Sequence, residues 1–152
     1  MWKKKDKQPA IARDEGGRTP LHYAAADSSG TTHDQVAELI AGGQDPNDRD
    51  NAGVTPLHGA AQYDGVQTVR VLLDAGAEVN ARDDEGNTPL MYAVRSPWTS
   101  PEVIALLRDR GGDPTIENRQ GSSPLSRIAS VSNKPHIRAV FADLLDDSDT
   151  AP

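Results

Sequence analysis

The chain has 152 residues, enough for one domain, and a formal net charge of −7. That balance disfavours a nucleic-acid partner, because phosphate binding needs a basic footprint. There is no cysteine, which excludes disulfides and thiol catalysis and fits a reducing, cytoplasmic setting.

The opening stretch, Met1-Trp2-Lys3-Lys4-Lys5-Asp6-Lys7, has the charge of the first region of a secretion signal. No apolar run follows it, so neither a secretion signal nor a transmembrane span is expected. Residues 1–13 read as a basic tail or cap. A phrase Gly-x-Thr-Pro-Leu then begins at Gly17, returns at Gly53 and Gly86, and appears in degraded form at Gly121. The steps are 36, 33 and 35 residues. A fixed period in this range signals stacked repeats. The division is residues 14–49, 50–82, 83–117 and 118–147, forming a single domain over 14–147 with a disordered tail at 148–152. Few aromatics suffice in such an array, because small residues let helices approach and each unit buries itself on its neighbour.

Within a unit, the pair Thr55-Pro56 predicts a helix start. The Thr oxygen accepts from an orphan N–H, and Pro fits the first helical position. Leu57, Ala60 and Ala61 share one face of this short helix, which Asp64-Gly65 ends. A second helix is predicted over about Val66 to Ala75, with Val69, Leu72 and Leu73 at helical spacing and Gly76 just past its end. The joining stretch is rich in Asn, Asp and Gly and suits a tight turn or hairpin. Unit one has three extra residues within Asp27 to Asp34. Unit three has two extra within Ser96 to Pro101. Both insertions map to loops between the helices of their unit, where partners often touch. A last helix is predicted over about Lys134 to Asp146, with Ile137, Val140, Phe141, Leu144 and Leu145 on its apolar stripe.

The pattern resembles the ankyrin repeat. The residues that carry the resemblance are Asp50-Asn51-Ala52-Gly53-Val54-Thr55-Pro56-Leu57-His58-Gly59-Ala60-Ala61 and Leu72-Leu73-Asp74-Ala75-Gly76-Ala77-Glu78-Val79-Asn80. Unit one matches from Asp14 to Ala25, and unit three from Asp83 to Val94 with Met91 in the His slot. Unit four is the poorest match, with Asn118, Ser123 and Ser126 replacing Asp, Thr and His. The resemblance implies an all-α solenoid of four helix–turn–helix units with hairpin or turn tips, the last acting as a cap.

Site chemistry is sparse. His22 and His58 share one repeat slot. Such slots on stacked helices lie about 8–10 Å apart, too far to ligate one metal at about 2 Å. The resemblance gives each His a structural bond to the nearby Thr and to backbone. His33 and His136 have no ligand-spaced partners. The carboxylates at Asp45, Asp48, Asp50 and Asp83-Asp84-Glu85 fall in turns, where Asp bonds its own backbone. Asp45 to Asp50 lacks the glycine and closing Glu of a calcium loop. Ser122-Ser123 has no His–Asp partners, and Ser123 already caps a helix. Gly42-Gly43 and Gly111-Gly112 end helices and are not phosphate loops. No catalytic site, cofactor or metal is expected.

The family resemblance implies a protein partner on the tips and the exposed face of the first helices. The positions are Arg18, Ala26 and Asp27; Arg49, Asn51, Ala52, Val54, Gln62 and Tyr63; Arg82, Asp84, Glu85, Asn87, Arg95 and Ser96; and the fourth tip, Glu117, Arg119 and Gln120. Arg49, Tyr63, Arg82 and Arg95 stand out, since Arg and Tyr are frequent anchors. Trp98, between Pro97 and Pro101, is either an exposed contact or folded over apolar surface. Tyr23 and Tyr92 read as packing residues. The chain also resembles small stand-alone bacterial ankyrin proteins, which include immunity proteins. That implies a non-enzymatic, monomeric antagonist whose partner is a basic toxin or enzyme, with no membrane or nucleic-acid role. The alternatives are a scaffold or stabilising subunit, or a small-molecule binder or enzyme with a deep polar pocket.

Overall fold

A computed structural model describes residues 11–27, 29, 32–131 and 133–145. The start of the expected basic tail, the expected C-terminal tail, and parts of the first insertion lie outside the described residues. Among the described residues the chain makes helices and turns and no strand. Unit one holds α1 (Pro20–Ala25) and α2 (Thr32–Ala41), and unit two α3 (Pro56–Gln62) and α4 (Val66–Asp74). Unit three holds α5 (Pro89–Arg95) and α6 (Pro101–Asp109), and unit four α7 (Pro124–Ala129), α8 (Pro135–Ala139) and α9 (Ala142–Leu145).

Every first helix starts at the Thr-Pro or Ser-Pro pair. Thr19, Thr55, Thr88 and Ser123 are extended N-caps, and Pro follows at the first helical position. Three of these starts are reciprocal capping boxes, with His22, His58 or Ser126 answering the cap residue from the third helical position. His thus does the work that Glu does in an ordinary box. Unit three has Met91 there instead, and only the Thr88 hydroxyl accepts, from Met91 N.

The helices stack in two layers. α1, α3, α5 and α7 contact one another in series as an inner layer, and α2, α4, α6 and α8 as an outer layer. Leu21, Leu57 and Leu90 occupy one slot and are fully buried between the layers, facing Val36, Val69, Leu72, Val103, Ile104 and Leu107. Each such leucine contributes about 1.5–3 kcal/mol by leaving water.

The expected single last helix is two. Phe141 N donates to the Arg138 carbonyl and Leu144 N to the Phe141 carbonyl, both three residues back, and this tight turn separates α8 from α9. It seats Phe141 at 0% exposure in the core. Of the expected stripe, Ile137 is also buried, but Leu144 is exposed. The Arg108 guanidinium lies 5.1 Å from the Phe141 ring centre and bonds the Asp143 carboxylate at 2.7 Å, tying α9 to α6. That bond holds the Asp143 carboxyl below its ordinary range.

Units are joined by three recurring devices. Asn47 donates to the Gly76 carbonyl and accepts from Glu78 N, and Asn80 repeats this on Gly111 and Asp113. His22 Nε2 bonds the Val54 carbonyl at 3.0 Å, and His58 Nε2 the Asn87 carbonyl at 2.9 Å. The tips are laced by Asn51 N to the Gly16 carbonyl, Asp84 N to Ala52, and Arg119 N to Glu85. Each tip turn is organised from within by an acceptor. Asp50 Oδ1 takes Ala52 N and Val54 N, and Asp83 and Asn118 do the same. These Asx-type bonds are why Asp and Asn recur there.

Candidate interaction surface

The inner helices present two adjoining clefts. The first, of about 160 Å³, lies between units one and two; Tyr23, Ala26, Val54, Gly59, Gln62 and Tyr63 are among its lining residues, with Arg18 and Asp50. The second, of about 200 Å³, is lined by Gln62, Tyr92, Arg95, Ser96 and Pro97. Gln62 belongs to both, so the two clefts adjoin, and together they are termed the inner groove. Gly59 lets α3 approach the end of α1 closely here, since a Cβ would stand 3.2 Å from the Ala26 Cβ.

Three aromatics stand open: Tyr23 at 54% exposure and Tyr63 at 42%, both lining the first cleft, and Trp98 at 73% in the loop that follows Pro97 of the second. Tyr23 was expected to pack and does not. Its hydroxyl instead donates to the Asp14 carboxylate, which that bond holds below the ordinary range. Tyr92 is half-buried, edge-on to His58 at 4.8 Å, and donates to Asp83 at 2.7 Å. Burial first, and that carboxylate second, push its phenol pKa up.

Trp98 is the exposed alternative of the two expected from sequence. Its loop is held nonetheless. Ser96 Oγ donates to the Gln62 carbonyl and accepts from Trp98 N, and Ser100 N and Oγ both donate to Asp64 Oδ1. Asp64 sits at φ 60°, the strained left-handed region, held there by the units it joins.

The tip arginines have a different role from the inner ones. Arg13 reaches the Arg49 carbonyl, Arg49 Nη2 donates to the Arg82 carbonyl at 2.7 Å, and Arg82 Nη2 to the Glu117 carbonyl at 2.7 Å. The two residues singled out as anchors at the tips are therefore staples between units, with their remaining donors at the surface. Asn51 also bonds inward, to the Glu15 carbonyl. Asn87, expected among the exposed contacts, is buried at 6% exposure with Oδ1 on Asn118 Nδ2. Arg18 is exposed and reaches Asp50 Oδ2 at 3.4 Å. Asp27, at the first insertion, accepts from Ser29 N and Oγ. Asp84 and Glu85 are exposed at the third tip.

Arg95 differs from all of these. Its side chain is exposed, at the end of α5, and makes no hydrogen bond or ion pair among the described residues. The Arg127 side chain has the same standing and is a position the sequence reading misses. Aligning the units would have found it, since Arg127 shares the slot of Tyr23, Gly59 and Tyr92, all of which line the groove. Lys134 was missed too; its Nζ donates to the carbonyls of Ser96 at 2.8 Å and Val94 at 3.4 Å.

His58 is buried with Nδ1 accepting from Thr55 N at 3.1 Å, so Nε2 carries the proton donated to Asn87. Burial pushes its pKa down. Both ring nitrogens are thus engaged in the fold. Among the described residues no group of three or more His, Asp or Glu is placed to hold a metal ion, and no helix is long and apolar enough to cross a membrane.

A family model described as ankyrin repeats (3 copies) matches residues 21–118. The SH3 and multiple ankyrin repeat domains protein 1 of Homo sapiens is 39% identical over 108 residues, covering 68% of this chain and 5% of that protein. The Mus musculus protein of the same name gives the same figures. The ankyrin repeat and LEM domain-containing protein 1 homolog of Caenorhabditis elegans is 38% identical over 69 residues, 45% of this chain and 10% of that protein. The chain therefore spans a twentieth to a tenth of the length of these relatives.

Proposed function

This chain belongs to the ankyrin-repeat family, and from that premise we propose that it is a non-enzymatic antagonist, gripping one protein partner along the inner groove. Ankyrin repeats are in general protein–protein interaction modules. The observation that carries the reading is that exposed Tyr63 and Arg95, whose side chain has no bonding partner among the described residues, line two clefts that share Gln62, with exposed Trp98 next in chain to Pro97 of the second cleft. Trp, Tyr and Arg are the residue types that dominate binding energy at interfaces. The loop bearing Trp98 is already pinned by Ser96 and Ser100, so binding costs little ordering there.

The partner is a toxin or enzyme of the same cytoplasm, whose working surface the groove occludes, in the manner of a bacterial immunity protein. The net charge of −7 favours a partner of basic overall charge, because opposite charges speed encounter. Residues 14–147 act together as the binding domain.

The test is a pulldown from source-cell lysate with wild type beside Tyr63→Ala/Arg95→Ala/Trp98→Ala, followed by co-expression of the captured protein. A protein held by wild type, lost by the variant, and relieved of toxicity or activity by the chain supports the reading. A captured protein whose activity is unchanged by the chain contradicts the antagonist role. Absence of any protein dependent on these residues contradicts the inner-groove role.

A further inference from the structure

Much of the acidic surplus lies on the outer helices, at Asp34, Glu38, Glu102 and Asp109, and at the tips, at Asp84, Glu85 and Glu117, all exposed. On the inner helices of units three and four, α5 and α7, the charged side chains are both cations. Arg95 and Arg127 project from neighbouring helices, α5 and α7, which pack together. Lys134 anchors beside them, on the carbonyls flanking Arg95.

The nearby carboxylates do not neutralise them. Asp83 is buried at 8% exposure and occupied by the Tyr92 hydroxyl and two backbone N–H groups. Asp64 is occupied by Ser100. An exposed guanidinium without an internal counter-charge, beside a pinned exposed Trp, has the composition of a binding anchor.

We propose that this end of the groove takes an acidic segment of the partner protein, with carboxylates on Arg95 and Arg127 and an apolar side chain against Trp98. This rests on the inner-groove reading above and specifies its partner chemistry. Arg presents a planar fork that matches a carboxylate in a bidentate manner, so two such groups read spacing as well as sign. A partner of basic overall charge carrying an acidic segment satisfies both the long-range field and the local seat. A nucleic acid would instead need a continuous basic track, and the tips of units three and four carry exposed Asp84, Glu85 and Glu117.

The experiment uses a display library of short random peptides selected on the immobilised full chain at low salt. Peptides rich in Asp and Glu are expected, with an apolar residue among them. Their binding should weaken about tenfold or more in Arg95→Glu/Arg127→Glu, since two attractive contacts become repulsive. Trp98→Ala should weaken it as well. Arg70→Glu, on the outer α4, should leave it unchanged. If charge reversal lowers the melting temperature, Arg95→Gln/Arg127→Gln carries the same test. Selected peptides without acidic enrichment, acidic peptides indifferent to both arginines, or no selected peptide would overturn the proposal. A single-stranded oligonucleotide bound with the same arginine dependence would overturn it too. In the lysate pulldown, a partner lost by Tyr63→Ala/Trp98→Ala but indifferent to Arg95→Gln/Arg127→Gln would sink this inference alone and leave the groove reading intact.

Discussion

Arg49 donates from Nη2 to the main-chain carbonyl of Arg82, one unit further on, at 2.7 Å. Arg82 repeats the bond onto Glu117, and the series stops there because Glu117 holds the arginine slot of its unit. A residue type usually taken for an interface anchor is here a strut between repeats. In a stacked array such nearest-neighbour terms set cooperativity.

Arg49→Ala is therefore expected to destabilise the chain by about 1 kcal/mol, the scale of one charge-assisted hydrogen bond at an exposed site. That corresponds to a melting-temperature fall of about 2–4 °C for a chain of this size. Arg95→Ala, without an internal partner, should leave the melting temperature unchanged. Calorimetric scans of the two variants side by side check the contrast; equal shifts would refute it.

His58→Ala should be far more damaging, by about 2–4 kcal/mol. It removes a buried ring at 0% exposure and leaves the Asn87 carbonyl and Thr55 N–H without their partner. Chemical denaturation of the variant measures the loss directly.

The same residue predicts an acid sensitivity. Protonation would put a second N–H at Nδ1, facing the Thr55 N–H donor. The folded pKa lies below the ordinary 6.5, with burial the main cause. The unfolded chain thus binds the proton first. The stability that neutral His58 contributes is complete above about pH 6.5 and declines as pH falls from there toward the folded pKa. Denaturant midpoints at about pH 7.5 and about pH 5.5 should differ more for wild type than for His58→Gln. Parallel changes in both proteins would count against this account.

Gly53 and Gly121 occupy the same tip slot, at φ 76° and 71°, and both would be strained by a side chain. Only Gly53 is also crowded, with a Cβ falling 2.6 Å from Asp84 Oδ1 and 2.7 Å from Arg49 Nη2; at Gly121 nothing lies within 4 Å. Gly121→Ala should cost about 1 kcal/mol and Gly53→Ala clearly more. Similar losses at both sites would mean that the next unit yields without cost.

The repeat boundaries and helix starts were legible because they rest on local chemistry. Thr55-Pro56 caps a helix from its own dipeptide, and Asp50 folds its own turn, whatever lies beyond. The accessibility of Tyr23 and the turn at Phe141 were not legible, since both depend on what packs against them across units. Arg49 and Arg95 look alike in sequence. Their difference is the distance to a carbonyl in the neighbouring unit, which composition and spacing do not encode. Arg127 was legible in principle and needed only the slot alignment that located Tyr23 and Tyr92.

The central claim is that binding runs through the inner groove. Its most direct test is titration calorimetry of the captured partner against three proteins of equal melting temperature: wild type, Tyr63→Ala/Trp98→Ala, and an outer-layer control, Glu38→Ala/Arg70→Ala. The account predicts an affinity loss of about a hundredfold or more for the inner pair, the scale of two anchor residues, and wild-type affinity for the outer pair. Wild-type affinity in the inner pair, or a loss confined to the outer pair, would contradict it.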